Sequence, residues 1–299
     1  MKNAIKFLLI LLVPIVTATS CKKDSGTPIE ETPEKPATGN PGTKPPPVEN
    51  KYNNVVETKL PNQKALSENV NKNIGGFHAA LPYLYDSTTK RYPLLVFVHG
   101  IGELGNGTTD LANAGNVGPA GMIKHKVWPP NFKVNNQNFS FIVITPQIKK
   151  WDYSTTANDI NDMISYAIKK YRVDTTRMYV SGMSMGGGYT WDYGGKYGAR
   201  IAAIVPICGA SGPNDAKAKV MASTGLAVWA FHRSDDGTVP ASNSTGYVNK
   251  INALNPPIKA KLTLWATGGH DAWSQALNVN TKENNMNMYE WMLQYKRGK

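Results

Sequence analysis

In Gly182-Met183-Ser184-Met185-Gly186 a serine stands two residues from a glycine on either side. This Gly-x-Ser-x-Gly spacing can set a serine hydroxyl on a sharp strand-to-helix turn, bare enough to act as a nucleophile. Residues 178–181 before it read as a buried strand, and residues 187–197 after it have the length of a short helix. The glycines have a mechanical purpose, because side chains at 182 and 186 would strike the neighbouring strand and helix. A serine hydroxyl is too weak an acid to attack a carbonyl carbon unaided at neutral pH, so a base must lie within hydrogen-bond reach. The blander role for Ser184 is to cap the helix that follows it. The chain has five histidines, His78, His99, His125, His232 and His270. Of these, His99, His232 and His270 follow apolar runs. An acid beside the chosen histidine would fix its tautomer and stabilise the imidazolium, and Asp235, Asp236 and Asp271 are the candidates.

Such groups need a scaffold that converges on one place. Apolar runs recur at residues 94–98, 139–145, 178–181, 201–207, 226–231 and 261–266. Runs apolar on both faces predict strands of a parallel sheet covered by helices. Between them, residues 158–171 carry Ile160, Met163, Ile164, Ala167, Ile168 and Tyr171 at three- and four-residue steps, the pattern of an amphipathic helix. Further helices are expected over residues 242–253 and 286–295, and an antiparallel edge strand over 76–84. Alternating strand and helix means an α/β fold: a mostly parallel central sheet with helices on both faces and right-handed crossovers. The connection over residues 208–225 is short, which argues against a large lid. In such sheets active groups stand at the carboxyl ends of strands. Those ends carry His99-Gly100-Ile101-Gly102-Glu103, then Ser184, then Asp235 and Asp236, then Gly268-Gly269-His270-Asp271.

The 299 residues suffice for one large domain, and 41% are hydrophobic, enough for a packed core. Residues 1–20 fall outside it: Lys2 and Lys6 precede an apolar stretch and then small residues, the pattern of an export signal. That stretch ends at Ala18-Thr19-Ser20-Cys21, which resembles a bacterial lipoprotein processing site. The resemblance implies that Cys21 becomes a lipidated first residue; ordinary cleavage would instead leave it a free thiol. Residues 22–50 are rich in Pro, Thr, Glu, Lys and Gly and too poor in apolar groups to offset their ordering entropy. We therefore expect a lipidated tether over 21–51 and a folded domain over 52–299. The only other cysteine, Cys208, reads as a small buried hydrophobe, so neither a disulfide framework nor a metal cluster is expected. A net charge of +12 comes from scattered lysines with no aromatic-interleaved basic stripe, and no nucleic-acid motif is present.

Serine, then acid, then histidine, each at a strand end, is the order of the α/β-hydrolases. The chain resembles that superfamily, and within it the secreted carboxylesterases grouped with polyhydroxybutyrate depolymerases and with feruloyl or acetylxylan esterases. Residues 92–103, Tyr171-Arg172-Val173-Asp174 with Arg177-Met178-Tyr179, Gly182 to Gly188, and Gly269-His270-Asp271-Ala272-Trp273 carry the likeness. It implies Ser184 as nucleophile, His270 as base and then acid, and no cofactor. His99 precedes the serine and so would brace its loop, and His232 would be structural. Asp236 precedes Gly237-Thr238-Val239-Pro240, similar to the pattern around the family's acid, and is preferred over Asp235; Asp271 follows His270 too closely. The oxyanion amides would come from Met185 and from Ile101 or Gly102. Arg233 stands where the family often has glycine. Trp151 follows a strand end where it could line the substrate cleft, and Trp191 and Trp273 flank the catalytic motifs; all three could stack on a sugar or a feruloyl ring, or simply pack.

The expectation is thus a serine esterase without metal or cofactor, acting on acylated plant polysaccharide and held to a bacterial membrane by its lipid. The alternatives are a serine peptidase or polyester depolymerase of the same fold, or a surface lipoprotein that binds polysaccharide without turnover.

Overall fold

The apolar runs emerge as the parallel part of one sheet. In chain order the strands are β1 (Asn62–Leu66), β2 (Ile74–Leu81), β3 (Tyr92–Val98), β4 (Phe132–Val134), β5 (Gln137–Phe139), β6 (Ile142–Ile148), β7 (Val173–Met183), β8 (Ala203–Ile207), β9 (Ala227–Arg233) and β10 (Lys261–Trp265). The helices are α1 (Gly118–Lys124), α2 (Thr156–Lys170), α3 (Met185–Tyr197), α4 (Asp215–Ser223), α5 (Ser242–Ala253), α6 (Trp273–Ala276) and α7 (Met288–Leu293). The structure is a computed structural model and describes residues 55–297. The expected export signal, Cys21 and the tether lie outside the described residues.

The main sheet has eight strands in the order β1-β2-β6-β3-β7-β8-β9-β10. β1 and β2 pair antiparallel, as do β2 and β6, and every pairing from β6 to β10 is parallel. Side chains alternate across the sheet. Leu94, Val96 and Val98 of β3 join the core under α2 to α5, while Leu95 and Phe97 join the core under α1, α6 and α7. Both faces are therefore covered, which is why the parallel strands read as continuous apolar runs. From β3 the chain crosses to β6 on one side and then to β7 on the other. The reversal opens a crevice at the carboxyl ends of β3 and β7, where His99-Gly100 and Ser184 stand.

Two expectations about elements need correcting. The antiparallel strand starts at Ile74 and is second in the sheet; the edge is β1, whose mostly exposed Asn-Gln-Lys-Ala-Leu has too little apolar character to signal a strand. The run at 139–145 is also broken. Phe139 ends β5, which pairs with β4 in a hairpin through Asn135 and Asn136, both at positive φ, and β6 begins at Ile142. The short connection over 208–225 carries α4.

Candidate active site

The strand-to-helix turn after β7 holds Ser184 at φ 54° and ψ −117°, a conformation that L-residues avoid. Close backbone packing enforces it. A Cβ on Gly182 would lie 2.4 Å from the Gly186 carbonyl oxygen, and one on Gly186 would lie 2.0 Å from that of Val98. Ser184 occupies the N-cap position of α3, yet its hydroxyl makes no capping bond. It donates instead to Nε2 of His270, at 2.8 Å. Nδ1 of His270 donates to Oδ2 of Asp236 at 2.7 Å. The structure thus brings Ser184, His270 and Asp236 into one hydrogen-bonded line from three strand ends.

Asp236 has no solvent-exposed side-chain surface. Burial alone would raise its carboxyl. Hydrogen bonds from His270 and from the Val239 and Thr238 amides outweigh that and hold it below the usual carboxylate range. A further nitrogen approaches it: His232 Nε2 lies 3.2 Å from Oδ2 while bonding the Val239 carbonyl, and Nδ1 takes the Ser244 hydroxyl. Burial lowers His232, so it stays a neutral donor against the carboxylate. Asp235, one residue earlier, points away and accepts the Gly268 and Gly269 amides, both at 2.9 Å. It anchors the loop that carries His270. Arg233 holds the same loop through the Thr267 and Asp271 carbonyls. Asp271 itself accepts the Ser274 amide and lies outside the line.

The loop after β3 is braced by His99. Its Nε2 accepts the Ile148 amide at 2.9 Å, so Nδ1 carries the proton and donates to the Gly100 carbonyl at 2.6 Å. Burial pushes His99 down to about 4, which keeps it neutral. In a trans peptide the C=O and N–H point in opposite directions. With the Gly100 oxygen held by His99, the Ile101 amide faces the other way. Gly100 lies beside the serine: a Cβ built on it would stand 3.9 Å from that of Ser184. The Met185 amide is the first of α3, where no intrahelical partner exists.

A cleft of about 690 Å³ opens onto Ser184, with Ile101, Trp151, Tyr153, Lys217 and Asn243 among its lining. Trp151 and Tyr153 pack ring to ring at 4.7 Å, and Tyr153 is 65% exposed. Trp273 meets the His270 ring edge-on at 5.2 Å and lines a second cavity of about 570 Å³, together with Met122, Val127, Met183 and Leu277. Trp191 does not line either cavity. It is fully buried and stacked on Tyr247 at 4.4 Å, because its face of α3 packs against α5, so the expectation of substrate contact is corrected.

Ligand atoms of Cys208, Asp236 and His270 lie within 4.8 Å of one another. They make a poor metal site, since Asp236 is bonded to His270 and His270 to Ser184, and burial pushes the Cys208 thiol up to about 12. What the line of side chains can do is proton transfer. A base accepts the serine proton while a buried carboxylate stabilises the cation that results.

A mostly parallel sheet with a strained serine turn at its reversal point defines an α/β-hydrolase. The chain belongs to the phospholipase/carboxylesterase family, whose model matches residues 82–286. It is similar to a bifunctional acetylxylan esterase/xylanase from Neocallimastix patriciarum, 32% identical over 98 residues. That match takes in 28% of this chain and only 14% of the relative. Among solved structures, a thermostable esterase matches with a TM-score of 0.56 at 23% identity, over 74% of this chain and 59% of that one. The feruloyl esterase module of Clostridium thermocellum, solved with sinapinate, matches with a TM-score of 0.50 at 16% identity, over 71% and 82%. These structural likenesses are of fold.

Proposed function

We propose that the protein is a serine carboxylesterase that removes acyl groups, acetyl or feruloyl, from polysaccharide. The observation that carries this reading is the line Ser184–His270–Asp236 opening onto a cleft with aromatic and polar walls. Ser184 Oγ attacks the ester carbonyl as His270 Nε2 takes its proton. Asp236 holds Nδ1 and stabilises the imidazolium. The oxyanion of the tetrahedral intermediate is bound by the Met185 and Ile101 amides, Ile101 being favoured over Gly102 by the grip of His99 on the Gly100 carbonyl. On collapse, His270 returns the proton to the departing alkoxide, leaving an acyl-serine. Water then attacks the acyl carbon with His270 again as base; the bond from the acyl carbon to Ser184 Oγ breaks, His270 returns the proton to Oγ, and the carboxylic acid leaves.

Trp151 and the exposed Tyr153 offer ring faces to a sugar or a feruloyl group, and Trp273 lies within reach of the acyl half on the other side of His270. The polysaccharide part of the reading also draws on the acetylxylan esterase relative. Export and a lipid on Cys21 would hold the domain outside the cell, next to such polymers. The test is release of acetate or ferulate from acetylated or feruloylated xylan by the purified protein. Release absent from Ser184→Ala supports the reading. Xylan that is bound but never deacylated, by a protein also inert on simple esters, sinks it in favour of a binding protein.

A further inference from the structure

Lys217 in the lining of the serine cleft is paired with a buried acid behind it, a charge pair that proton transfer at Ser184 does not require. Asp192 lies on α3, the helix that Ser184 begins, and its side chain is only 7% exposed. It accepts Thr156 Oγ1 at 2.7 Å, Ser211 Oγ at 2.8 Å and Lys217 Nζ at 2.5 Å. A buried carboxylate needs such donors. Lys217 is different: its side chain is 35% exposed, and it lines the same cleft as Ser184. Its stem is fixed as well. A Cβ on Gly195 would come within 2.4 Å of Lys217 Cβ, so α4 lies against the bare face of α3. The Lys217 amide is also tied to the Asn214 cap at 3.0 Å. The ammonium is therefore set at a fixed place relative to the nucleophile by residues of the nucleophile's own helix.

We propose that Lys217, positioned by Asp192, selects the alcohol half of the ester by hydrogen bonding to the hydroxyls of a glycosyl unit. This rests on the serine esterase reading and specifies its leaving group. An ammonium has three hydrogens, of which Asp192 takes one. Asp192 also offsets the charge, so a carboxylate on the substrate would meet repulsion from Asp192 along with attraction to Lys217. A neutral hydroxyl oxygen fits the pair without that conflict. Asn214 and Asn243 add donors and acceptors on the same wall, and Tyr153 offers a ring face at the mouth. Hydroxyls close to an aromatic face are what a sugar presents.

The experiment compares ester pairs that share an acyl group: feruloyl arabinose against methyl ferulate, and acetylated xylobiose against p-nitrophenyl acetate. Wild type, Lys217→Met, Lys217→Arg and Ser184→Ala are assayed as the full chain. In Lys217→Met the ratio of kcat/KM for sugar ester over simple ester should fall about tenfold or more, mainly through KM, as expected for losing a hydrogen bond to a charged donor. Lys217→Arg should restore most of it. If Lys217→Met does not fold because Asp192 is left unpaired, Asp192→Asn/Lys217→Met removes both charges, and the same fall is expected. An unchanged ratio in the folded variants overturns the proposal, as does a wild type that prefers the simple ester in both pairs. Turnover of the simple esters that survives Ser184→Ala would instead overturn the serine esterase reading beneath it.

Discussion

The serine turn and the histidine loop meet at one hydrogen bond but are held by different means. At the turn, backbone packs on backbone: Gly182 and Gly186 have no room for a single carbon beside the Gly186 and Val98 carbonyls. Along the loop, side chains hold backbone: Asp235 takes the Gly268 and Gly269 amides, and Arg233 takes the Thr267 and Asp271 carbonyls. Contacts of the first kind are close-packed and tolerate no added volume. Those of the second kind lie partly in solvent and are lost one at a time, each at modest cost. Ser184 is thus placed by the core, and His270 by a surface network that can be weakened in steps.

Breaking the support behind the bond that joins the two regions should cost most. Asp236→Asn keeps the shape but offers His270 the wrong partner, and kcat on p-nitrophenyl acetate should fall on the order of 10,000-fold with the fold intact. A loss under tenfold would remove Asp236 from the proposed mechanism. Next comes the turn. Gly186→Ala puts a carbon 2.0 Å from the Val98 oxygen, so kcat should fall about 100-fold and the unfolding midpoint should drop as well, overpacking costing roughly 1–3 kcal/mol or more. Full activity in that variant would mean the turn is not the rigid element described. The loop should respond more gently: Asp235→Ala should lower kcat about tenfold and leave the unfolding midpoint nearly unchanged, since its bonds are exposed. Equal losses in Gly186→Ala and Asp235→Ala would erase the contrast between the regions.

The last prediction concerns stability against pH rather than rate, at the brace behind the turn, His99. Its folded pKa lies at about 4, below the value near 6.5 of a free histidine. Between these values the unfolded chain binds a proton that the folded one refuses. The His99 contribution is therefore fully present above about pH 6.5 and is lost as pH falls toward 4, by about 3 kcal/mol. Asp236, held low, loses its own contribution in acid too, as pH falls from the unfolded carboxylate value through its depressed folded one. Denaturant unfolding at pH 7 and pH 4 should show a smaller acid loss in His99→Gln than in wild type; an identical loss would mean His99 is not buried neutral.

The contrast also explains what the sequence could reveal. A backbone close contact demands glycine, and glycine spacing is visible, so the turn at Ser184 could be read directly. The parallel strands were legible because burial on both faces leaves an unbroken apolar run. Side-chain anchors leave no such trace. Asp235 reads like any surface acid beside Asp236, and His232 reads as a core histidine although it faces the Asp236 carboxylate. Asp192 and Lys217 lie 25 residues apart in chain and meet only because α4 packs on Gly195. Trp191 misled for a related reason: nearness in sequence to Ser184 places it on α3, but the helix turns that face toward Tyr247. β1 was hidden because an exposed edge strand has no apolar pattern.

The central claim is that Ser184 is the nucleophile of an esterase. Hydrolysis of p-nitrophenyl acetate and butyrate by the purified protein, run beside Ser184→Ala, tests it most directly. The account predicts turnover by the wild type that falls to the uncatalysed background in the variant. Equal rates for the two proteins would contradict it.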